Sequence, residues 1–397
     1  MDATKFLQTL MDGTAVGSIY ALIALGYTMV YGILKFINFA HSDIFVLGAW
    51  ISLAISLVIG WTGDPHLQPP TWIIVILALL AVLTVLMVVY ERGLPRMAPT
   101  VAGRLPHTAV SGPLLIVVAG VGLTCVLIVA AFWLRRMSLS IQLSDSMLWL
   151  KKAVIDPSPG FAILLAAMAI VGTIGFVVER LAYRPLRSAP RLNVLITAIG
   201  VSLFLQNFGQ LKWIFGTQPQ RMPSLLQDVV LATVQGVDIH LVDVIGAGTA
   251  IVLMFALELL VFHTKVGRAM RAVSYDTKIA SLMGVPVDAV ISFTFVLGSA
   301  LAAAAGFLYA MKYPGLNQPA HMTWILLGLK AFVAAVIGGI GNIRGAMLGG
   351  FFIGLLEMFG AAYVSPNLRD VYVFSLLIVV LLVKPTGILG KAVAEKV

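Results

Sequence analysis

The sequence predicts an all-α protein that crosses a membrane many times. Of its 397 residues, 60% are hydrophobic and 11% are charged, whereas charged residues make up about a quarter of a soluble domain. Its mean hydropathy is +1.01. Apolar stretches long enough to span a bilayer predict about 10 to 11 transmembrane helices. They cover residues 12–34, 43–60, 71–90, 111–134, 159–178, 192–211, 241–263, 287–310, 324–341, 346–363 and 371–384. These helices form one transmembrane domain, residues 1–397.

The placement of basic residues predicts the orientation of these helices, because short cytoplasmic loops collect lysine and arginine. The basic segments 179–191 and 264–278 are separated by two predicted helices, so both are placed in the cytoplasm. Alternation then puts the N-terminus outside and the C-terminal tail, which carries three lysines, inside. Residues 135–159 fit poorly, since this predicted external loop contains four basic side chains.

Several functional classes are excluded by the sequence. The net charge of +9 is scattered over loops, which indicates membrane orientation and contact with anionic lipid headgroups rather than binding to nucleic acid. No phosphate-binding loop, zinc-protease motif or nucleophile elbow occurs, so no enzyme activity is predicted. The histidines do not cluster at metal-ligand spacing, and neither a metal nor a cofactor is expected. An ATP-driven function would therefore need a nucleotide site on another subunit.

A polar segment, residues 38–43, interrupts the apolar pattern between the first two predicted helices. Lipid tolerates such groups only where they line a cavity or form a contact. Asn38, His41 and Asp43 are therefore candidate translocation-pathway residues, and Glu357 is a fourth, on a later helix. The alternatives are that Asp43 caps a helix and that Glu357 accepts hydrogen bonds from a neighbouring helix without touching solute.

A second polar segment, residues 264–288, contains the pattern of one short helix. An acid stands in its first turn, apolar residues follow at helical spacing, and a glycine stop precedes Pro286. A helix shorter than about 12 residues is marginal in water and needs a surface to dock on. Two interpretations stay open: the helix lies on lipid headgroups, or its apolar stripe fits a groove on a partner.

Small residues recur near the C-terminus at four-residue spacing, at Gly341, Gly345 and Gly349 and again at Gly350 and Gly354. Such spacing lets helices approach closely. It suits either packing within the chain or a contact across a dimer.

Separate blocks of the chain together resemble the LivH-type permeases of branched-chain amino-acid ABC importers. The blocks are residues 17–50, 179–187, 276–286, 338–350 and 384–390. In residues 276–286, an acid is followed at four-residue spacing by Ala280 and Gly284 and then by an aliphatic residue and proline. The resemblance covers about 5–60 and 160–397 and is specific because the blocks agree in order.

The resemblance implies an ABC-importer permease fold in the inner membrane. The protein would move branched-chain or other hydrophobic amino acids while separate subunits hydrolyse ATP. The implied partners are a LivM-type permease, two cytoplasmic ATP-binding subunits and a periplasmic amino-acid-binding protein. Segment 264–288 would be the cytoplasmic loop that couples to the ATPase, and the residues expected to carry the coupling are Asp276, Ile279, Ala280, Leu282, Met283 and Gly284.

Two departures from the family pattern stand out. Ser42 occupies the place of a family glycine within the polar segment, and residues 71–158 form an insert with two extra predicted helices.

Two alternative functions stay open. An ion-coupled secondary transporter would use Asp43 and Glu357 as coupling acids, but it leaves the docking helix without a purpose. An importer of the same type could instead carry urea or short amides.

Overall fold

A computed structural model of the chain describes residues 3–59, 159–187, 189–212, 214–223, 230–234 and 236–390. Its α-helices are α1 (Ala3–Leu34), α2 (His41–Ile59), α3 (Pro159–Val178), α4 (Arg191–Gly209), α5 (Leu241–His263), α6 (Lys265–Tyr275), α7 (Thr277–Leu282), α8 (Val287–Lys312), α9 (Met322–Gly338), α10 (Ile343–Tyr363) and α11 (Arg369–Val383). The predicted helices at 71–90 and 111–134, and the whole insert 71–158, lie outside the described residues.

Each of the other predicted membrane helices overlaps a helix of the structure, and their ends agree to within three residues, except that α1 begins at Ala3, nine residues before predicted helix 12–34. Seven helices in the described part of the chain are long and apolar enough to cross a membrane, and α2 and α9 are shorter apolar helices. These segments are helical because each backbone polar group in lipid must be paired within its own segment.

Short strands and turns occur only between the long helices of the described segments. Strand β1 (Gln220–Arg221) pairs antiparallel with β4 (Gly315–Leu316), and β2 (Val230–Val234) pairs antiparallel with β3 (Val237–His240). The sequence did not predict these strands, because strands of two to five residues are too short to show a clear alternation of apolar and polar side chains. A π-helical turn (Glu179–Tyr183) and a 3₁₀ turn (Arg184–Leu186) follow α3, and another 3₁₀ turn (Pro366–Leu368) precedes α11.

Helices α1 and α8 form the centre of the bundle and are largely buried. Helix α1 packs against α8, α9 and α10, and α8 also packs against α2 and α3. Helices α4, α5 and α11 instead expose most of their apolar residues, including Phe204, Val252 and Leu382. Such faces suit lipid contact, since lipid tails solvate apolar side chains as well as a protein interior does.

The recurring glycines of α10 serve packing within the chain. A side chain at Gly350 would collide with Ala21 of α1, and one at Gly354 would collide with Gly17. Side chains at Gly345 and Gly349 would collide with the backbone of α9. The close approach of α10 to α1 and α9 therefore requires these glycines, which settles the choice left open by the sequence in favour of internal contacts at these positions.

The α1–α2 connection turns back into the bundle. Lys35 adopts a left-handed backbone conformation, with φ of 57°, and α2 begins at His41. The imidazole of His41 packs against Gly26, which lies eight residues, or about 12 Å of helix rise, before the end of α1. The polar segment is therefore in the bundle interior and not at the end of a surface loop.

Ser42 does not need the backbone freedom of a glycine, because the break between α1 and α2 precedes it. The chain leaves helical geometry over residues 35–40, and Ser42 lies in the first turn of α2. Its Cβ occupies space that Gly328 of α9 leaves open. The departure from the family glycine is thus accommodated by a second glycine across the helix contact.

Candidate functional site

The carboxylate of Asp43 is held by two side chains of α4. It accepts a hydrogen bond from Ser202 Oγ at 2.5 Å and another from Gln206 Nε2 at 2.9 Å. Asp43 is only 4% exposed. Ser202 and Gln206 lie one helical turn apart, so their side chains share a face of α4 and reach the same carboxylate.

Asn38 and His41 each keep one buried polar atom unpaired among the described residues. Asn38 Oδ1 accepts a hydrogen bond from Tyr183 Oη at 2.6 Å, whereas its Nδ2 has no partner. The ring of His41 meets that of Tyr27 edge-on at a centroid distance of 4.7 Å, and its Nε2 is likewise without a partner. Buried polar groups are nearly always hydrogen-bonded, so two unpaired groups in one segment are unusual.

Asn38, His41 and Asp43 are all buried at the start of α2 or just before it, and we call these three residues the break cluster. Asp43 is the third residue of α2. A side chain that caps a helix accepts hydrogen bonds from backbone N–H groups, whereas the carboxylate of Asp43 accepts them from two side chains of α4. Ser202 and Gln206 were not predicted from the sequence. The pattern that could have identified them is two polar side chains four residues apart inside a predicted membrane helix.

Glu357 belongs to a separate cluster. Its Oε1 accepts a hydrogen bond from Lys330 Nζ at 2.9 Å and its Oε2 accepts one from Tyr20 Oη at 2.8 Å. Lys330 also pairs with Asp370 at 2.7 Å. Lys330 and Glu357 are 7% and 5% exposed, and within the described ranges no hydrogen bond or ion pair joins them to Asp43.

This geometry matches the packing alternative for Glu357, because both of its oxygens accept from neighbouring helices. Lys330 was missed by the sequence analysis, although it is the one basic residue inside predicted helix 324–341. Ionisable residues inside membrane helices pair with one another or mark a pathway.

The short helix predicted before Pro286 is α7, residues Thr277–Leu282. Asp276 lies one position before its first turn and caps it, accepting hydrogen bonds from the N–H groups of Lys278 at 2.8 Å and Ile279 at 3.0 Å. Gly284 follows with φ of +80°. The predicted start, apolar stripe and glycine stop are all present.

The apolar side chains of α7 face outward. Leu282 is 87% and Met283 79% exposed, and Ile279 is about half exposed. Ala280 differs, because it is buried against the body of the protein. Tyr275, at the end of α6, is also exposed and extends the patch, a contribution that the sequence analysis missed. We call Tyr275, Ile279, Leu282 and Met283 the docking patch.

Helix α6 holds this patch against the bundle. Thr264 caps α6 by accepting a hydrogen bond from the N–H of Gly267 at 3.0 Å. Ser274 Oγ then donates a hydrogen bond to the carbonyl of Gly32, near the end of α1, at 2.7 Å.

The described residues contain no group of histidine, cysteine or acidic side chains that could hold a metal ion.

Known proteins are similar to this chain in sequence over almost its whole length. The sequence pattern of the family described as branched-chain amino acid transport system, permease component, matches residues 9–382. The chain belongs to this family. It is 34% identical to the high-affinity branched-chain amino acid transport permease LivH of Salmonella typhimurium, over 99% of this chain and 98% of the relative. The same figures hold for LivH of Escherichia coli K12 and for BraD of Pseudomonas aeruginosa. The chain matches no solved structure.

The resemblance found in the sequence blocks is thereby confirmed. The permease is a multi-pass membrane protein and a component of an ABC importer, not an enzyme. A permease of this kind works with ATP-binding subunits, a substrate-binding partner and a second permease. Neither the family match nor the names of the relatives assigns a role to the break cluster or to the docking patch.

Proposed function

We propose that this permease imports branched-chain or other hydrophobic amino acids across the inner membrane. The observation that carries the proposal is the match, over 99% of the chain, to relatives named as high-affinity branched-chain amino acid permeases. Its partners would be a LivM-type permease, two cytoplasmic ATP-binding subunits and a periplasmic amino-acid-binding protein. The ATPases would dock on the docking patch, and solute would pass the break cluster.

Uptake by the assembled complex in proteoliposomes tests this function. We expect radiolabelled leucine to enter only when ATP and the binding protein are both supplied, and to enter unchanged when ion gradients are collapsed. Uptake that continues without ATP and follows a sodium or proton gradient would instead establish the secondary transporter. ATP-dependent accumulation of urea or acetamide, with no leucine uptake, would overturn the proposed substrate class.

We place the N-terminus outside and the C-terminus in the cytoplasm. Contacts in the structure support putting both basic loops on one side, since Arg184 and Arg187 of the first loop reach Asp288, just beyond the second, at 2.5 Å and 2.6 Å. Short basic loops face the cytoplasm. The docking patch, which begins in the second loop and continues just beyond it, is then accessible to a cytoplasmic ATPase.

Cysteine labelling checks this orientation. In a background without Cys125, the only cysteine of the chain, we expect Arg268→Cys to react with an impermeant maleimide only in inside-out vesicles. Gly315→Cys, in strand β4, should react only in right-side-out vesicles. Reversed accessibility at both positions would overturn the orientation, and labelling of both from one side would contradict the helix count between them.

The break cluster is the proposed pathway element. An acid inside the bundle is expensive to keep unless it pairs or lines a path, and the polar segment that contains Asp43 also contains the unpaired Asn38 Nδ2 and His41 Nε2. A buried polar group without a partner is available to bind a passing solute. Solute selection would rest mainly with the binding protein, because the cluster offers few groups that distinguish one aliphatic side chain from another.

Replacing Asp43 tests the pathway role. We expect Asp43→Ala to lower the maximal transport rate about tenfold, equivalent to about 1.4 kcal/mol, with normal amounts of folded complex. Ser202→Ala is the matched control, because it removes one hydrogen bond to the carboxylate but keeps the charge, and it should transport at close to the parent rate. An Asp43→Ala variant with an unchanged maximal rate and less folded protein would make Asp43 a packing residue.

A further inference from the structure

A widened helical turn links the region of the docking patch to the break cluster. After α3 the chain forms a π-helical turn, Glu179–Tyr183, and then a tight 3₁₀ turn, Arg184–Leu186. π-helical turns are rare and occur frequently at functional sites. Neither the family relationship nor the proposed function assigns a role to this one.

The 3₁₀ turn and the residue after it are tied to α8. Asp288, in the first turn of α8, accepts a hydrogen bond from Arg184 Nη2 at 2.5 Å and one from Arg187 Nη1 at 2.6 Å. Only Met283–Pro286 separate α8 from α7. A displacement of α7 by a bound partner would therefore act directly on the helix that holds Asp288.

The first residue of the π-helical turn, Glu179, is a buried charged group. Glu179 is fully buried, and its two oxygens accept hydrogen bonds from Arg187 and, at 2.6 Å, from Ser292 Oγ of α8. Hydrogen bonds to ionised groups are short and strong, and removing one partner of a buried pair is costly. The π-helical turn and α8 are therefore expected to move as one unit.

The last residue of the π-helical turn reaches the break cluster. Tyr183 is the last residue of the π-helical turn and is 1% exposed. Its ring packs between those of Phe36 and Phe295, each at a centroid distance of 5.4 Å. Its hydroxyl donates to Asn38 Oδ1 at 2.6 Å, and the carbonyl of Asn38 accepts the N–H of His41.

We infer that Glu179–Tyr183 is a coupling lever, which repositions Asn38 when an ATPase moves α7. A π-helical turn closes one residue later than an α-helical turn, so the two arrangements differ by one residue of register. Since each residue of an α-helix turns the chain by about 100°, converting the turn to α-helix would rotate Tyr183 away from Asn38. Glu179, Tyr183 and Arg187 are positioning residues in this scheme, which rests on the proposed docking and pathway roles.

The lever is tested with Tyr183→Phe, which removes only the hydroxyl that contacts Asn38. The assembled complex is reconstituted with its binding protein, and a reporter, Ile37→Cys in a Cys125→Ser background, is placed in the break. Three quantities are measured: ATPase copurified with the permease, leucine transported per ATP hydrolysed, and the maleimide labelling rate of the reporter with and without trapped nucleotide.

We expect Tyr183→Phe to retain its ATPase, to transport about fivefold less leucine per ATP, and to lose the nucleotide dependence of labelling. Asp288→Asn, at the exposed contact between the 3₁₀ turn and α8, should shift both readouts in the same direction with less risk to folding. Tyr372→Phe is the matched control, because it removes a tyrosine hydrogen bond, to the Ser365 carbonyl, away from the lever. It should match the parent.

Two outcomes overturn the lever. One is a Tyr183→Phe complex whose transport per ATP and nucleotide-dependent labelling equal those of the parent. The other is a lower yield of folded complex with both ratios unchanged, which would make the contact purely structural. The parent protein decides the proposed function separately: leucine uptake by the parent without ATP overturns that function, and the lever with it, whereas normal coupling in both proteins overturns the lever alone.

Discussion

Gly284→Val should insert and fold normally but fail to retain its ATPase. Gly284 has φ of +80°, a conformation that β-branched residues resist. A Cβ at this position would meet nothing within 4 Å, so the effect must come from the backbone and not from a steric collision. The measurement is ATPase copurification with the permease, together with ATP hydrolysis stimulated by the binding protein.

The glycine stop sets the angle at which α7 presents the docking patch. The N–H of Gly284 bonds to the Ser281 carbonyl and the N–H of Val285 bonds to the Ala280 carbonyl, each at 3.0 Å. This is the pattern by which a left-handed residue ends a helix. If valine forces φ negative, both bonds are lost, and Leu282 and Met283 change direction.

Gly284→Asn is the matched control, since asparagine tolerates the left-handed conformation. We expect it to bind the ATPase and to support ATP-driven uptake close to the parent level. The same pair of variants separates the two interpretations of α7. A helix that lies on lipid headgroups has no ATPase to lose, so normal ATPase binding by Gly284→Val would remove the coupling assignment.

The sequence predicted local features well because local patterns determine them. Apolar length located the described membrane helices, and the acid start and glycine stop located α7. Even there, the role of Asp276 differed slightly, since it caps the helix from one position before the first turn. The exposure of Leu282 and the burial of Ala280 depend on how α7 rests on the bundle, and no local pattern contains that information.

The break cluster shows where local inference ends. The polar residues predicted an interruption, but not that α2 begins inside the bundle. That placement depends on the left-handed Lys35 and on the space that Gly26 leaves for His41. The partners of Asp43 lie more than 150 residues away in sequence, so one sequence offers no means of pairing them.

Glu357 was predicted as a pathway candidate, with hydrogen bonds from a neighbouring helix as the alternative, and its observed partners decide how it should be tested. We expect Lys330→Met to destabilise the permease by about 3–5 kcal/mol, because it leaves a buried carboxylate with Tyr20 as its remaining hydrogen-bond partner. Thermal unfolding in detergent measures this loss. Lys212→Met is the control, since Lys212 is exposed, and it should unfold at the parent temperature.

The double variant Lys330→Met, Glu357→Gln distinguishes packing from transport. Neutralising both partners removes the unpaired charge, and replacing a whole buried pair is often close to neutral, so most of the lost stability should return. A packing pair predicts that this folded double variant transports leucine at the parent rate, as the contacts with Tyr20 and Asp370 suggest. A stable double variant that binds its ATPase but does not transport would instead return Glu357 to the solute pathway. A double variant as unstable as Lys330→Met would show that the loss arises from the shape of the lysine side chain and not from its charge.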